Sequence, residues 1–139
     1  MAATIHIPDS LLARVLTKNA NLHTGGDTLK CALIDITSYA RATDTVFSNL
    51  TEVSGTGYTA GGQALTSQVV AADTTNHLTT VTLTPAVWTG STTISATGAV
   101  IYDTTDGNRI IAVDDFGATV ASSGGTYTVN AITLQFTHF

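Results

Sequence analysis

Residues 96–117 read ATGAVIYDTTDGNRIIAVDDFG, and this stretch decides the fold class. Two apolar runs flank a polar segment at 104–108 that contains Asp106 and Gly107. An Asp-Gly pair is a strong tight-turn signal, because glycine adopts positive φ without steric cost. The pattern therefore predicts an antiparallel hairpin with strands at 96–103 and 109–116.

Both strands of this hairpin are apolar on both faces. Val100 and Tyr102 lie on one face of the first strand, and Ala99 and Ile101 lie on the other. The second strand repeats the pattern, with Ile111 and Val113 alternating with Ile110, Ala112 and Phe116. Because such a strand must be covered twice, we expect cover from the N-terminal helix and a second sheet, or from a neighbouring subunit.

Other segments extend the β pattern. A strand is predicted at 27–36, and a second hairpin is predicted at 64–72 and 77–84, before Pro85. The final strand changes phase, which predicts a bulge or corner at 130–131. One helical turn is expected within 38–51, and Trp88 is expected to anchor a local cluster. The prediction is an all-β, mainly antiparallel fold, a β-sandwich or compact barrel with one or two short helices.

The N-terminal segment has helical spacing. Asp9 or Ser10 can cap a helix, and apolar residues follow at Leu11, Leu12, Val15 and Leu16. This pattern predicts a short amphipathic helix over 9–18. Residues 1–26 are expected to form an arm with this helix, and 27–139 are expected to form a single β domain. Packing on the sheet is favoured over membrane binding, because the polar face is hardly basic.

Composition excludes several function classes. The chain has 139 residues and a formal net charge of −5, and its five basic residues are scattered. Such a distribution opposes direct nucleic-acid binding. Charged residues make up 11%, against about 25% in ordinary domains, and 28 threonines replace them. The surface is therefore expected to be polar but nearly uncharged, and to recognise partners by shape. No signal peptide or membrane span is evident.

No pattern of catalytic or metal-binding residues is convincing. Asp103, Asp106, Asp114 and Asp115 invite a calcium or glycosidase reading, but the spacing lacks the EF-hand's final glutamate, and a hairpin turn is favoured. The four histidines are far apart, and Cys31 falls on a predicted inward face. Ser54 lacks the context of a nucleophile elbow. We therefore expect no enzyme activity, cofactor or metal.

Residues 52–66, EVSGTGYTAGGQALT, form a glycine- and threonine-rich loop that leads into a strand. Ala60 stands where a dinucleotide-binding loop would need its third glycine, so nucleotide binding is disfavoured. The favoured interpretation is an ordered loop whose bends are permitted by glycine and which is held by Tyr58.

These stretches together resemble small virion structural proteins of tailed bacteriophages, the capsid decoration or cement proteins. The similarity covers most of the chain after Asp27. It runs through DTLKCALIDI at 27–36, the 52–66 loop, the Trp88 region, the 98–117 hairpin and the threonine-rich end. No enzymatic motif is carried over from that family.

The resemblance implies a β-rich subunit on the outside of the phage head, assembled in the bacterial cytoplasm. Its partners would be the major capsid protein and itself, as a homotrimer first and a homodimer second. The expected contact residues are Leu11, Leu12, Val15, Tyr58 and Thr59. Nucleic acid and membrane are not expected partners.

The alternative is a receptor- or glycan-binding module, or a minor component, of a phage tail or fibre. Such a module needs an exposed aromatic platform, for which the candidates are Trp88, Tyr39, Tyr58, Tyr102 and Tyr127.

Overall fold

The part of the chain that the structure describes is mostly antiparallel β, with 55% of its residues in strands and 7% helical. A computed structural model describes residues 4–8, 11, 15, 20–22 and 25–137. Within these residues the strands are β1 (Thr4–His6), β2 (Leu29–Ile34), β3 (Gln63–Leu65), β4 (Gln68–Asp73), β5 (Leu78–Leu83), β6 (Ala86–Thr92), β7 (Ser95–Asp103), β8 (Arg109–Ala121), β9 (Gly125–Val129) and β10 (Ile132–Thr137). Two 3-10 helices lie at Ile36–Ser38 and Phe47–Asn49. The all-β prediction is confirmed.

The strands form three sheets. The largest has five strands in the order β1-β8-β7-β2-β3, the second has three in the order β10-β5-β4, and the third pairs β6 with β9. Every strand pairing is antiparallel. Whether the sheets constitute a sandwich or a closed barrel stays a prediction.

The β7–β8 hairpin predicted from residues 96–117 is confirmed and forms the centre of the large sheet. Its strands pair from Ser95 opposite Ala121 to Asp103 opposite Arg109, with two shifts of register. Gly107 and Asn108 have positive φ values of 60° and 59° at the turn. Such values require glycine or a residue such as asparagine that tolerates the left-handed region, which explains the Gly-Asn sequence there.

One face of this hairpin borders the main hydrophobic core. Ala99, Ile101 and Ile111 lie there with buried residues of all three sheets, among them Leu83, Trp88, Tyr127, Val129 and Leu134. The expected cover by further strands on this face is confirmed. Each large aliphatic side chain buried here contributes about 1.5–3 kcal/mol to folding, so this cluster is the main source of stability.

The opposite face is covered by residues 36–50 of the same chain. A second core cluster joins Val100, Tyr102, Ile110 and Val113 to Leu50, with Ile36, Tyr39 and Phe47 packed against it. The sequence allowed a neighbouring subunit as cover for the two-sided strands. That cover is not required, because the chain itself buries both faces.

Residues 36–50 are fixed to the hairpin by backbone hydrogen bonds. Phe47 N donates to Asn108 O at 2.8 Å, and Ile110 N donates to Thr45 O at 3.0 Å. The Phe47 and Tyr102 rings stack with centroids 4.3 Å apart. The helical turn predicted within 38–51 corresponds to the 3-10 helix Phe47–Asn49, which presents Phe47 to this face.

The described residues of the N-terminal segment contact the β strands. β1 pairs with the β8 segment from Val113 to Asp115, and Leu11, Ala20 and Leu22 lie in the main core. The predicted division into an arm at 1–26 and a single β domain at 27–139 stays a prediction. Leu11 and Val15 have helical backbone, but most of the helix predicted over 9–18 lies outside the described residues.

Two further predictions correspond to observed features. The hairpin predicted at 64–84 is present as β4 and β5, and Val81 and Leu83 are buried as their alternation indicated. The phase change at 130–131 is a corner, where the chain leaves β9 in the two-stranded sheet and enters β10 in the three-stranded sheet. No described helix is both long enough and apolar enough to cross a bilayer.

Candidate functional site

The glycine-rich loop at residues 52–62 is bound along the large sheet and near β6. Glu52 bridges Ile34, and Val53 N donates to Leu33 O at 3.0 Å. Further along, Thr56 bridges Thr93. The loop has no long regular element, yet its backbone is fixed at both of these points.

The Glu52 carboxylate is the central acceptor of the loop. Its Oε1 accepts from the Tyr58 hydroxyl at 2.6 Å and from Gly61 N at 2.6 Å. Tyr102 Oη donates to Gly61 O at 2.6 Å, which secures the same peptide segment from the sheet side. Glu52 is the only glutamate in the chain. Charge-assisted hydrogen bonds of this length are about twice as strong as neutral ones, so Glu52 holds both ends of the 58–61 turn.

Tyr58 anchors the loop inward. Its hydroxyl accepts from Leu33 N at 3.0 Å while donating to Glu52, and its ring lies 5.5 Å from the Trp88 ring. Burial raises the pKa of Tyr58, and the hydrogen bond to Glu52 raises it further. The phenol therefore stays neutral and keeps its proton for Glu52. The interpretation that Tyr58 holds an ordered loop agrees with these contacts.

Gly62 ends the loop at a position that only glycine fits. Its φ is +74°, and a Cβ built there would lie 1.9 Å from the Cys31 carbonyl oxygen. The close approach lets β3 begin directly beside β2, where Gln63 pairs with Cys31. Glycine at 62 therefore sets where the loop joins the sheet.

The outer side of the loop is exposed and uncharged. Residues 54–57 and 59–60 are exposed, and their side chains are those of serine, threonine, alanine and glycine. A loop of this kind offers small hydroxyl groups and backbone in a fixed arrangement. It has little to attract a distant charged partner, but it loses little conformational entropy when a complementary surface docks.

The predicted contact residues separate into different environments. Leu11 is fully buried in the core, so its prediction as a partner contact is corrected: its side chain is already covered by this chain. Val15 is half-buried and packs against the same core. Tyr58 is half-buried and Thr59 is exposed beside it. Leu12 lies outside the described residues.

The aromatic candidates for a glycan platform are mostly internal. Trp88, Tyr102 and Tyr127 are each buried. Trp88 lies edge-on to Tyr127, with centroids 6.1 Å apart. Tyr39 packs against the second core cluster. These rings are packing residues, and none of the three buried rings presents a face to solvent.

Asp103 closes the turn of the central hairpin. Asp103 Oδ1 accepts from the backbone N–H groups of Thr105 and Asp106 at 2.9 and 3.1 Å, which closes the turn. Burial and a hydrogen bond with Asp27 raise the pKa of Asp103. Among the described residues, no group of three histidine, cysteine or acidic side chains is placed to hold a metal ion.

The sequence pattern did not distinguish Asp114 from the acidic residues of the hairpin turn. It is nearly buried, its Oδ1 has no hydrogen-bond partner among the described residues, and it borders a cavity of about 190 Å³. Burial foremost, then the Asp115 charge, raises the pKa of Asp114 to about 6. The available signal was its position in β8, where it follows the buried Ala112 by two residues and so lies on the same face.

Replacing Glu52 with alanine is expected to loosen the loop and lower the free energy of unfolding by about 1–3 kcal/mol, because the Tyr58 hydroxyl and Gly61 N–H lose their shared acceptor. Hydrogen exchange at the Gly61 amide and thermal unfolding measure the two effects. Glu52→Gln retains an acceptor and serves as the matched control, with a smaller loss. Unchanged Gly61 protection in Glu52→Ala would contradict the role given to this carboxylate.

The Cys31 thiol is expected to be unreactive in the folded protein. It is fully buried, and burial raises its pKa far above the usual range, so the reactive thiolate is scarcely formed. A thiol-specific colorimetric reagent at pH 8 should label Cys31 only after denaturant is added. Rapid labelling without denaturant would show that β2 is not stably paired between β7 and β3.

Comparison with known proteins adds no relative. No protein-family model, no curated protein and no solved structure matches this chain.

Proposed function

We propose that this protein is a non-enzymatic phage virion protein that binds the outside of the major capsid lattice and stabilises it. The observation that carries the proposal is the loop at 52–62, which is exposed and uncharged on its outer side and fixed by Glu52 and Tyr58. The resemblance of the same stretch to phage decoration proteins supports this assignment.

The loop suits attachment to a repeated lattice. Its conformation is fixed before binding, so contact does not require the ordering of a flexible segment. Each contact can be modest, because several subunits bound to neighbouring capsid proteins multiply the overall affinity. The proposed working form is therefore a homo-oligomer, a trimer on a local threefold axis or a dimer.

One argument for a viral partner is removed by the fold. The two-sided apolar strands of the central hairpin do not need an external cover, because residues 36–50 bury the second face. The proposal therefore depends on the exposed loop and the resemblance. A receptor- or glycan-binding role is less favoured, because Trp88, Tyr102 and Tyr127 are buried.

Cosedimentation with heads of the parent phage that lack this protein tests the proposal. The wild-type protein is expected to sediment with the heads and to raise the temperature at which they release DNA. Thr59→Glu adds a charge to the outer side of the loop and is expected to weaken binding at least about tenfold, since a desolvated unpaired charge is costly.

The matched control is Thr126→Glu, which places the same charge on an exposed position of β9. Binding by the control with loss of binding by Thr59→Glu would support the loop as the contact element. Equal binding by both variants would remove the loop from the contact. No sedimentation of the wild-type protein would count against the capsid assignment, and specific binding on a glycan array would favour the tail or fibre alternative.

A further inference from the structure

β4 lies at an edge of the three-stranded sheet. β4 is the last strand of the three-stranded sheet, paired on its inner side with β5 from Gln68 opposite Leu83 to Asp73 opposite Leu78. Among the residues that the structure describes, no strand pairs with its outer side. An edge of this kind presents a row of backbone N–H and C=O groups that a further strand can pair with.

This edge is apolar and lacks the usual protection. Val69 is 55% exposed and Val70 is 47% exposed, and they point to opposite faces because side chains alternate along a strand. Ala71 and Ala72 follow and are also exposed. Natural edge strands generally carry a lysine, a proline or a bulge that prevents further pairing. None of these occurs at 68–72, where the pairing with β5 is regular.

We propose that β4 pairs in antiparallel fashion with β4 of a second copy of this chain, across a two-fold axis. The two three-stranded sheets would then continue as one six-stranded sheet, with the two copies of β4 at its centre. The exposed valines would be buried, and the free backbone groups would find partners.

A second copy fits because the segment is complementary to itself. With the axis through Val70, each Val70 lies opposite the second copy's Val70, and each Val69 lies opposite the second copy's Ala71, on the other face. The two valines at the axis bury each other's apolar surface, and on the other face a large side chain meets a small one, which favours close packing.

Charge also permits this pairing. Asp73 is the only charged residue of β4, and in this register it lies opposite the second copy's Ser67, which is uncharged. The antiparallel arrangement therefore places no like charges opposite each other, a juxtaposition that would destabilise a strand pair. A two-fold contact closes on itself and gives a dimer, and it uses no residue of the 52–62 loop.

Sedimentation equilibrium of the full chain over micromolar concentrations tests the proposal. The wild-type protein is expected to form a dimer. Val70→Lys is expected to raise the dissociation constant at least about tenfold, because it removes apolar contact and brings like charges close together. Val87→Lys is the matched control, since Val87 is another exposed valine, 40% accessible, on a strand outside this edge. A monomeric wild-type protein, a trimer, or equal weakening by both variants would overturn the proposal.

Cysteine cross-linking gives a second measurement that does not depend on the stability of the lysine variant. The Val70→Cys protein is oxidised by itself, and a disulfide-linked dimer is expected because Val70 lies opposite its own copy on the same face. A mixture of Val69→Cys and Ala71→Cys proteins is expected to link in the same way. Cys31 is buried and does not interfere. Linkage in Ala71→Cys alone, without linkage in Val70→Cys, would contradict this register. No linkage in any of these samples, or equal linkage in Val87→Cys, would overturn it.

Discussion

Gly62→Ala is expected to lower the free energy of unfolding by about 3–5 kcal/mol, the largest effect of a single methyl group in this protein. Alanine at φ +74° is strained by about 1–2 kcal/mol, and its Cβ would also lie 1.9 Å from the Cys31 carbonyl oxygen. That oxygen belongs to the backbone of β2, which lies between β7 and β3 in the large sheet, so relief requires β2 and β3 to separate. Thermal unfolding should show a midpoint lower by about 10 °C or more.

The control for this prediction is Gly124→Ala. Gly124 has a φ of +75°, but an added Cβ would meet nothing within 4 Å. This variant therefore carries the strain of the left-handed backbone without the collision, and a loss of about 1–2 kcal/mol is expected. Similar losses of unfolding free energy in Gly62→Ala and Gly124→Ala would mean that the close approach of Gly62 to β2 does not exclude a side chain at position 62.

Stability is expected to fall as the pH rises from about 4 to about 7, with a transition near the Asp114 pKa of about 6. The folded pKa of Asp114 is raised above the usual aspartate value near 3.8. The contribution of Asp114 to the free energy of unfolding is therefore fully present below about pH 4. It is lost as the pH rises through 6, because the buried side chain then becomes a charged carboxylate. After allowance for solvent screening, the loss is about 1–2 kcal/mol. Denaturant unfolding at a series of pH values measures it.

Two variants isolate the Asp114 contribution. Asp114→Asn removes the titration and is expected to be more stable than wild type at pH 8, with a flatter profile. Asp115→Asn keeps the titration but removes the neighbouring charge, so the Asp114 transition should move to lower pH. Asp103, whose pKa is also raised by burial, accounts for the slope that remains in Asp114→Asn. An unchanged profile in Asp114→Asn would contradict this assignment.

The strands that the sequence predicted best are those with regular alternation and clear turns. The Asp106-Gly107 turn and its apolar flanks specified β7 and β8, and the alternation around Val81 specified β5. β3 and β6 were not identified as separate strands. β3 has three residues, and β6 contains Gly90, Ser91 and two threonines, so neither has a distinctive apolar period.

The cover of the second hairpin face could not be found from periodicity. Ile36, Tyr39, Phe47 and Leu50 follow no helical or strand spacing, because residues 36–50 are mainly irregular and use 3-10 turns to direct single side chains inward. These four side chains share a packing surface only in the folded structure, where they cover the second face of the β7–β8 hairpin.

The candidate loop was located correctly, but its fixing residues were only partly predicted. Glycine content and Tyr58 indicated an ordered bend. The role of Glu52 depends on two acceptor contacts formed after the chain has turned back on itself, and a lone glutamate in the sequence gives no sign of them. Leu11 was chosen as a contact because its apolar spacing has the same appearance whether the partner is another protein or the chain's own core.

The pairing of β1 with β8 has a consequence for biosynthesis. Thr4 pairs with Asp115, so β1 is synthesised before β8 and has no partner until β8 has been translated. Contacts between such distant positions slow folding, because a long loop must close before they form. During translation the nascent chain is therefore expected to expose aggregation-prone segments, and slower elongation before β8 would lengthen its dependence on chaperones.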